Sequence, residues 1–385
     1  MTPAARVQTA IELLETILDG APAERVLTNW ARSSRFAGSK DRAAVRDHVY
    51  DVLRQKNSLA VRGGGQGARA LLLGLMSVQG TDPETIFSGA NYAPAALSDD
   101  ERAAMGEGDA LNLPEWIVAN LQQALGDDFA KVEMALRQRA PVNLRVNTRK
   151  STLESACEAL EKEGIITVPN PLSGTALEVT LGARKVKNAQ AYRDGLVELQ
   201  DAASQAAIDL LPLKDAKRIL DFCAGGGGKL LAMAGRSQAQ FFAHDVNENR
   251  MRDLPDRAKR AGVDATILES AKVKIFAPFD LVFCDVPCSG SGTWRRDPNS
   301  KWTFTPEGLK RLQTMQADIL DHAATLVSAG GYLAYATCSM LREENQHQID
   351  AFLMKHQNWT LLKQRQWTPL DGCDGFFTAI LKAPV

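Results

Sequence analysis

Two cysteines carry the chemistry for which this chain can be read. Cys288 follows an apolar run, Leu281 to Phe283, and the turn Asp-Val-Pro-Cys that begins at Asp285; Cys338 ends a second run, GYLAYATC. Each run reads as a buried strand. Pro287 cannot donate to a sheet ladder and should end the first. Both thiols and Asp285 are therefore expected at the carboxyl ends of strands, where open α/β sheets place their ligands. Two thiols suit methylation at carbon 5 of a pyrimidine, a carbon too electron-poor to attack a sulfonium unaided. A thiolate adding to carbon 6 turns the ring into a nucleophile, which is covalent catalysis. The carbon 5 proton must then leave and the thiolate be expelled, which asks for a second acid–base group. An acid near ring nitrogen 3 would assist the addition, and Asp285 is placed for it.

A second constellation is DFCAGGGGK, which runs from Asp221 through Cys223, Ala224, Gly225, Gly226, Gly227 and Gly228 to Lys229. Four glycines let backbone approach a ligand without side-chain obstruction, and the helix start that follows offers free N–H groups. Leu230 stands where a nucleoside-triphosphate loop needs Ser or Thr. The next strand, QFFAHDV, ends in Asp245, whose carboxylate can accept both ribose hydroxyls of an adenosine. The loop and Asp245 together support an adenosine ligand and leave NAD and S-adenosylmethionine open. The two thiols favour the second, because hydride transfer has no evident use for them.

The elements that must position these groups are legible in outline. Beyond Gly195 strands alternate with helices, the pattern of a parallel sheet with crossovers; TLLKQRQW and GFFTAILK close it as an antiparallel pair. Residues 6 to about 105 are helical by period, with Val7, Ile11, Leu14 and Leu18 on one face and Val45, Val49 and Val52 on another. ARALLLGLMSV is apolar nearly all round and reads as a central helix. Residues 92 to 108 read as a linker. Between these parts, PVNLRVNTRK alternates as a half-buried strand, TLESACEALEKEG is an amphipathic helix, and ITVPNPLSGTALEVTL is further strand. The exposed polar alternates Arg145 and Arg149 make a weak candidate for a nucleic-acid face, as do Lys40, Arg42, Arg46 and Arg54, and Trp294 to Arg296 could pack on a nucleotide.

Composition bounds the remaining classes. The chain has 385 residues and a formal net charge of −1, so a nucleic-acid role needs local basic patches rather than an overall field. Six scattered cysteines and five histidines, with no Cys-x-x-Cys pair, argue against a disulfide framework and against a metal. No apolar run is long enough to span a membrane, and the N-terminal stretch does not read as a secretory signal. The expectation is a cytoplasmic protein without a membrane partner.

At these residues the chain resembles a family. DFCAGGGGK, DVPCSGSGTWRRDPNSKW and YATCSMLREENQHQI, with PVNLRVNTRK and LVELQDAASQ upstream, are similar to segments of the NOL1/NOP2/Sun RNA 5-methylcytosine methyltransferases. DRAAVRDHVYDVLR resembles the NusB-like domain of the bacterial small-subunit rRNA members. The resemblance implies an all-α NusB-like RNA-binding domain over residues 1–108, a small α+β, RRM-like segment over 109–195, and a Rossmann-like catalytic domain over 196–385. It implies S-adenosylmethionine as cofactor, held by Cys223 to Lys229, Asp245, Ser270 and Asp285. The partner is RNA, with small-subunit rRNA first, and a monomer is favoured. Cys338 would be the nucleophile, Cys288 would assist release, Asp285 would contact the cytosine edge, and Lys229 would bridge Asp285 and the cofactor.

Three places depart from the family pattern, one of them only in length, the short segment from Ala271 to Pro278. Gly225-Gly226 stands for Ala-Pro, which lowers preorganisation of the loop. Glu269-Ser270 stands where an aspartate usually meets the adenine, leaving Ser270 as the hydrogen-bonding candidate. DNA cytosine methylation, with the Pro-Cys thiol as nucleophile, and a non-catalytic RNA-binding assembly factor remain the rival readings.

Overall fold

The alternation in PVNLRVNTRK and the two apolar runs after it fold as a four-stranded antiparallel sheet. In the computed structural model, which describes residues 1–385, this sheet comprises β1 (Val142–Val146), β2 (Ile166–Pro169), β3 (Ala176–Leu181) and β4 (Val197–Leu199), in the order β2-β3-β1-β4. Leu144, Val146, Leu177 and Val197 turn to one face and bury there with Ala156 and Leu160 of the helix Leu153–Glu161. Period 2 in the strands and 3.6 in the helix thus meet in one small core.

The alternating region beyond Gly195 forms a seven-stranded sheet. Its strands are β5 (Arg218–Asp221), β6 (Gln240–Ala243), β7 (Ala265–Ile267), β8 (Phe279–Asp285), β9 (Val327–Thr337), β10 (Thr360–Trp367) and β11 (Phe376–Lys382), ordered β10-β11-β9-β8-β5-β6-β7. The five strands β5 to β9 are parallel, while β11 pairs antiparallel with both β9 and β10. From β5 the chain winds outward through β6 and β7, then returns to β8 on the other side of β5, which makes the end of β5 a topological switch point. Helices cover both faces, and β8 shows why its sequence is a continuous apolar run. Leu281 and Phe283 bury in the core on one face, Val282 and Cys284 in the core on the other. Asp285 lies opposite Ala336 in the β8–β9 register, so the segments carrying Cys288 and Cys338 leave the sheet at the same end.

By internal packing the chain divides into two units, Met1–Arg139 with Trp294–Thr305, and Ala140–Thr293 with Pro306–Val385. The first is built on helices α1 (Pro3–Leu18), α2 (Ala23–Ser33), α3 (Ser39–Arg54), α4 (Lys56–Gly63) and α5 (Ala68–Val78). Val7, Ile11 and Leu14 of α1 and Val45, Val49 and Val52 of α3 bury against α5, as their spacing requires. Helices α4 and α5 touch through glycine: a Cβ on Gly74 would stand 2.3 Å from the Leu59 carbonyl oxygen.

Two local readings change. The stretch read as a linker contains a helix, Asp99–Ala104, opened by a capping box of Ser98 and Glu101. The basic face of α3 is largely consumed by internal partners: Arg54 is buried, donating to the Arg295 carbonyl and pairing with Asp51, while Arg46 pairs with Glu24. No helix is long and apolar enough to cross a membrane.

Candidate active site

At the carboxyl end of β8 the backbone is still tied to the sheet, with Val286 N–H donating to Ala336 O at 3.0 Å. Past Pro287 it leaves, and Cys288 Sγ comes to lie 3.4 Å from Cys338 Sγ. Both thiols are half-buried. Asp285 meets Lys229, delivered from the start of the helix Gly228–Ala234, with Nζ 2.5 Å from Oδ2. Burial works against the Lys229 ammonium, but the charge and hydrogen bond of Asp285 outweigh it and raise its pKa above the ordinary lysine value. The four groups expected to do chemistry (Cys338, Cys288, Asp285 and Lys229) are thus placed at one end of the sheet.

What holds the two cysteine loops together is a residue that sequence reading passed over. Glu344, fully buried, accepts from Ser289 N–H at 2.8 Å, from the Ser289 and Ser339 hydroxyls at 2.5 Å each, and from Gln316 Nε2 at 3.0 Å. The two serines directly follow the two cysteines in sequence, so one carboxylate pins both loops. Ser291 adds a second tie, donating to Ser339 Oγ at 3.0 Å, since the Ser339 proton goes to Glu344, and accepting from Met340 N–H at 2.8 Å. The signal available in sequence was the acidic pair Glu343-Glu344 shortly after Thr-Cys-Ser, but only the fold shows which carboxylate turns inward.

The hydrogen bond with Cys338, and then burial, push Cys288 well above the usual thiol pKa, so it keeps its proton. Burial pushes Cys223 up as well, reinforced by Asp221 and Asp285, which makes it an inert wall. Asp221, 1% exposed, has its Oδ1 without a partner; burial first and the Asp285 charge second raise its pKa to about 7.

Beside this cluster opens a cavity of about 390 Å³. Phe222, Val246, Pro287 and Ile319 give it apolar walls, and Cys223, Asp245 and Ser270 also line it. Ala224 and Gly225 are fastened to its rim by N–H donation to His244 O at 2.8 Å and to Asp245 Oδ2 at 3.0 Å. Gly226, Gly227 and Gly228 face Arg257, Leu254 and Gln200. Arg257 donates to the Gly226 carbonyl at 2.5 Å and pairs with Glu198, so side chains brace the loop where Ala-Pro would stiffen the backbone. Apolar walls for a purine, a buried carboxylate for a ribose diol and a hydroxyl at the edge fit the adenosine part of S-adenosylmethionine.

Two expected surface groups, Arg145 and Trp294, are internal. Arg145 is 3% exposed and spans to the glycine loop, donating to Gly228 O and Gln200 Oε1 at 2.6 Å each. Arg149 donates to Gly262 O and Ala234 O. Arg145 is thus an internal strut that joins the small sheet to the large one, whereas Arg149 makes its bonds from an exposed position. Trp294 is buried, not a loop-tip platform.

Comparison with known proteins fits this geometry. Residues 208–382 match the family model of the 16S rRNA methyltransferase RsmB/F, and residues 113–184 the ferredoxin-like domain of RsmF/B-like methyltransferases. The ribosomal RNA small subunit methyltransferase B of Serratia proteamaculans is 31% identical over 296 residues, covering 73% of this chain and 68% of that protein. That of Yersinia pestis is 32% identical over 297 residues, 72% and 68%. Among solved structures, PH0851 aligns over 99% of both chains with a TM-score of 0.77 at 23% identity. NSun6 from Pyrococcus horikoshii, solved with SFG, aligns with 70% of this chain and 98% of its own at a TM-score of 0.61 and 18% identity. These structures share the fold; the curated relatives share the sequence as well. The chain belongs to the RsmB/F family of S-adenosylmethionine-dependent 16S rRNA methyltransferases.

Proposed function

We propose that the protein methylates carbon 5 of a cytosine in 16S rRNA through a covalent cysteine–cytosine intermediate. The observation that carries this reading is the pair of thiols 3.4 Å apart beside the Asp285–Lys229 ion pair. S-adenosylmethionine, when bound, supplies an electrophilic methyl group. Cys338 adds to carbon 6 as the thiolate, which makes carbon 5 nucleophilic. Asp285, fixed by Lys229, faces the cytosine edge near nitrogen 3. Once carbon 5 is methylated, its proton leaves to a base, the carbon 5–carbon 6 double bond re-forms, and the Cys338–carbon 6 bond breaks with its electron pair returning to sulfur. Cys288 assists this release. The hydrogen bond with Cys338 and burial raise the Cys288 thiol pKa, which suits Cys288 to an acid–base role in release. Cofactor contacts are assigned to Cys223–Lys229, Asp245, Ser270 and Asp285. Residues 1–108 serve as a NusB-like RNA-binding domain, 109–195 as an RRM-like segment and 196–385 as the catalytic domain.

The test is a pair of variants on an in vitro transcript of 16S rRNA. Cys338→Ala is expected to abolish methylation, and Cys288→Ala to leave a stable protein–RNA adduct visible as a denaturation-resistant shift. Normal turnover by Cys338→Ala would overturn the nucleophile assignment. Trapping on 5-azacytidine RNA rather than on the matching DNA is the expected outcome; the reverse would favour a DNA enzyme.

A further inference from the structure

The floor of the cofactor cavity holds a hydrogen-bond relay whose direction is fixed by chemistry. His244, the residue before Asp245 at the end of β6, places Nδ1 2.9 Å from the Phe222 carbonyl oxygen and Nε2 2.9 Å from Ser270 Oγ. A carbonyl oxygen can only accept, so Nδ1 carries the proton. In the neutral ring Nε2 is then a bare lone pair, and the 2.9 Å contact requires the Ser270 hydroxyl to donate to it. Burial, the largest influence on this ring, holds its pKa below the ordinary imidazole value, which keeps it neutral at neutral pH. The ring cannot turn freely: it stacks on Phe222 at 4.7 Å between centroids, and His322 abuts the same phenyl edge-on at 5.2 Å.

A serine hydroxyl by itself is ambivalent, offering a proton or a lone pair to whatever arrives. Here its only proton is spent on His244. Ser270 Oγ lines the cavity with lone pairs alone, and Ser270 is solvent-exposed there, so a ligand can reach it. Such an atom selects a donor. On a purine the 6-amino group of adenine donates, whereas the 6-oxo group of hypoxanthine only accepts and would face oxygen with oxygen.

We propose that His244 is a positioning residue that makes Ser270 an acceptor-only reader of the adenine amino group, and so sets cofactor specificity for a 6-aminopurine. The inference rests on the cavity being the adenosine pocket. It assigns to His244 a role that the methyl-transfer chemistry does not require.

The experiment is calorimetric titration of the full chain with S-adenosylhomocysteine and with S-inosylhomocysteine, two ligands that differ in the 6-substituent and the attendant N1 protonation and that transfer no methyl group. The wild-type protein is expected to favour the adenosyl ligand by about tenfold or more, the scale of one buried polar group left unpaired. Ser270→Ala should bring the ratio of the two affinities close to one, while Ser270→Thr, which keeps the hydroxyl, should preserve it. His244→Phe keeps the stack on Phe222 but frees the serine proton, and should lower the ratio several-fold; the lost bond to the Phe222 carbonyl lowers the thermal midpoint, and the ratio of the two affinities is read at a temperature where the variant is folded. A wild-type ratio near one, or a ratio that survives Ser270→Ala, would overturn the proposal. Absence of binding by both ligands to the wild-type chain would overturn the assignment of the pocket itself, and the relay's role with it.

Discussion

Asp221 shows how much one buried charge can matter. It ends β5 with one carboxylate oxygen unpartnered, and its pKa stands at about 7 against an ordinary 3.8. The folded chain therefore binds more protons at this site than the unfolded chain does between those two values, and linkage fixes the sign. The stabilising contribution is fully present below about pH 4 and is lost as pH rises through about 7. Asp221→Asn keeps the shape and removes the titration. Its thermal midpoint should gain on the wild type as pH is raised from 5 to 8, giving a flatter profile; parallel profiles for the two proteins would show that Asp221 does not titrate in this window.

At the scale of elements, the site depends on two loops that leave adjacent parallel strands and would diverge without a tie. Glu344 supplies it with hydrogen bonds to both loops and to Gln316 of the helix Pro306–Ala324. Buried hydrogen bonds to a charged group are worth about 1.5–3 kcal/mol each before relaxation. Glu344→Ala should therefore cost about 3 kcal/mol or more of stability and, in the fraction that stays folded, lower turnover at least about tenfold, since small misplacement of reacting groups is expensive. Denaturant titration and single-turnover methylation check the two effects separately. A variant with wild-type turnover would mean that the thiols stay in register without this brace.

For the whole molecule, the cofactor pocket couples chemistry to folding. A ligand that binds only the folded chain adds about 2.7 kcal/mol of stability at a concentration one hundred times its dissociation constant. Saturating S-adenosylhomocysteine should raise the unfolding midpoint of the unit that contains β5 to β9. A separate melting step assigned to the unit of Met1–Arg139 with Trp294–Thr305 should not move, which differential scanning calorimetry would resolve. A single step that moves as a whole would show that the two units unfold as one.

Much of this was written in local pattern. Alternation in VNLRV, the apolar run in β8 and the glycine loop announced strands and a turn, because side-chain period and backbone freedom act over a few residues. The placing of Asp285, Cys288 and Cys338 at strand ends followed from the same signals with Pro287. Local pattern misjudged Arg54, Arg145 and Trp294, since an amphipathic or basic residue can be consumed by a partner that no neighbouring residue reveals; Arg145 finds its carbonyl 83 positions away. The thiol–thiol contact spans 50 positions, the Glu344 tie to Ser289 spans 55 and the His244–Ser270 relay spans 26. Those meetings are set by sheet register and crossover, which bring distant residues within hydrogen-bonding distance only once the long-range packing is complete. The sequence by itself determined which chemistry was available and at which end of which strands; the tertiary structure decided that the two thiols meet, which carboxylate braces the loops and which way a serine hydroxyl points.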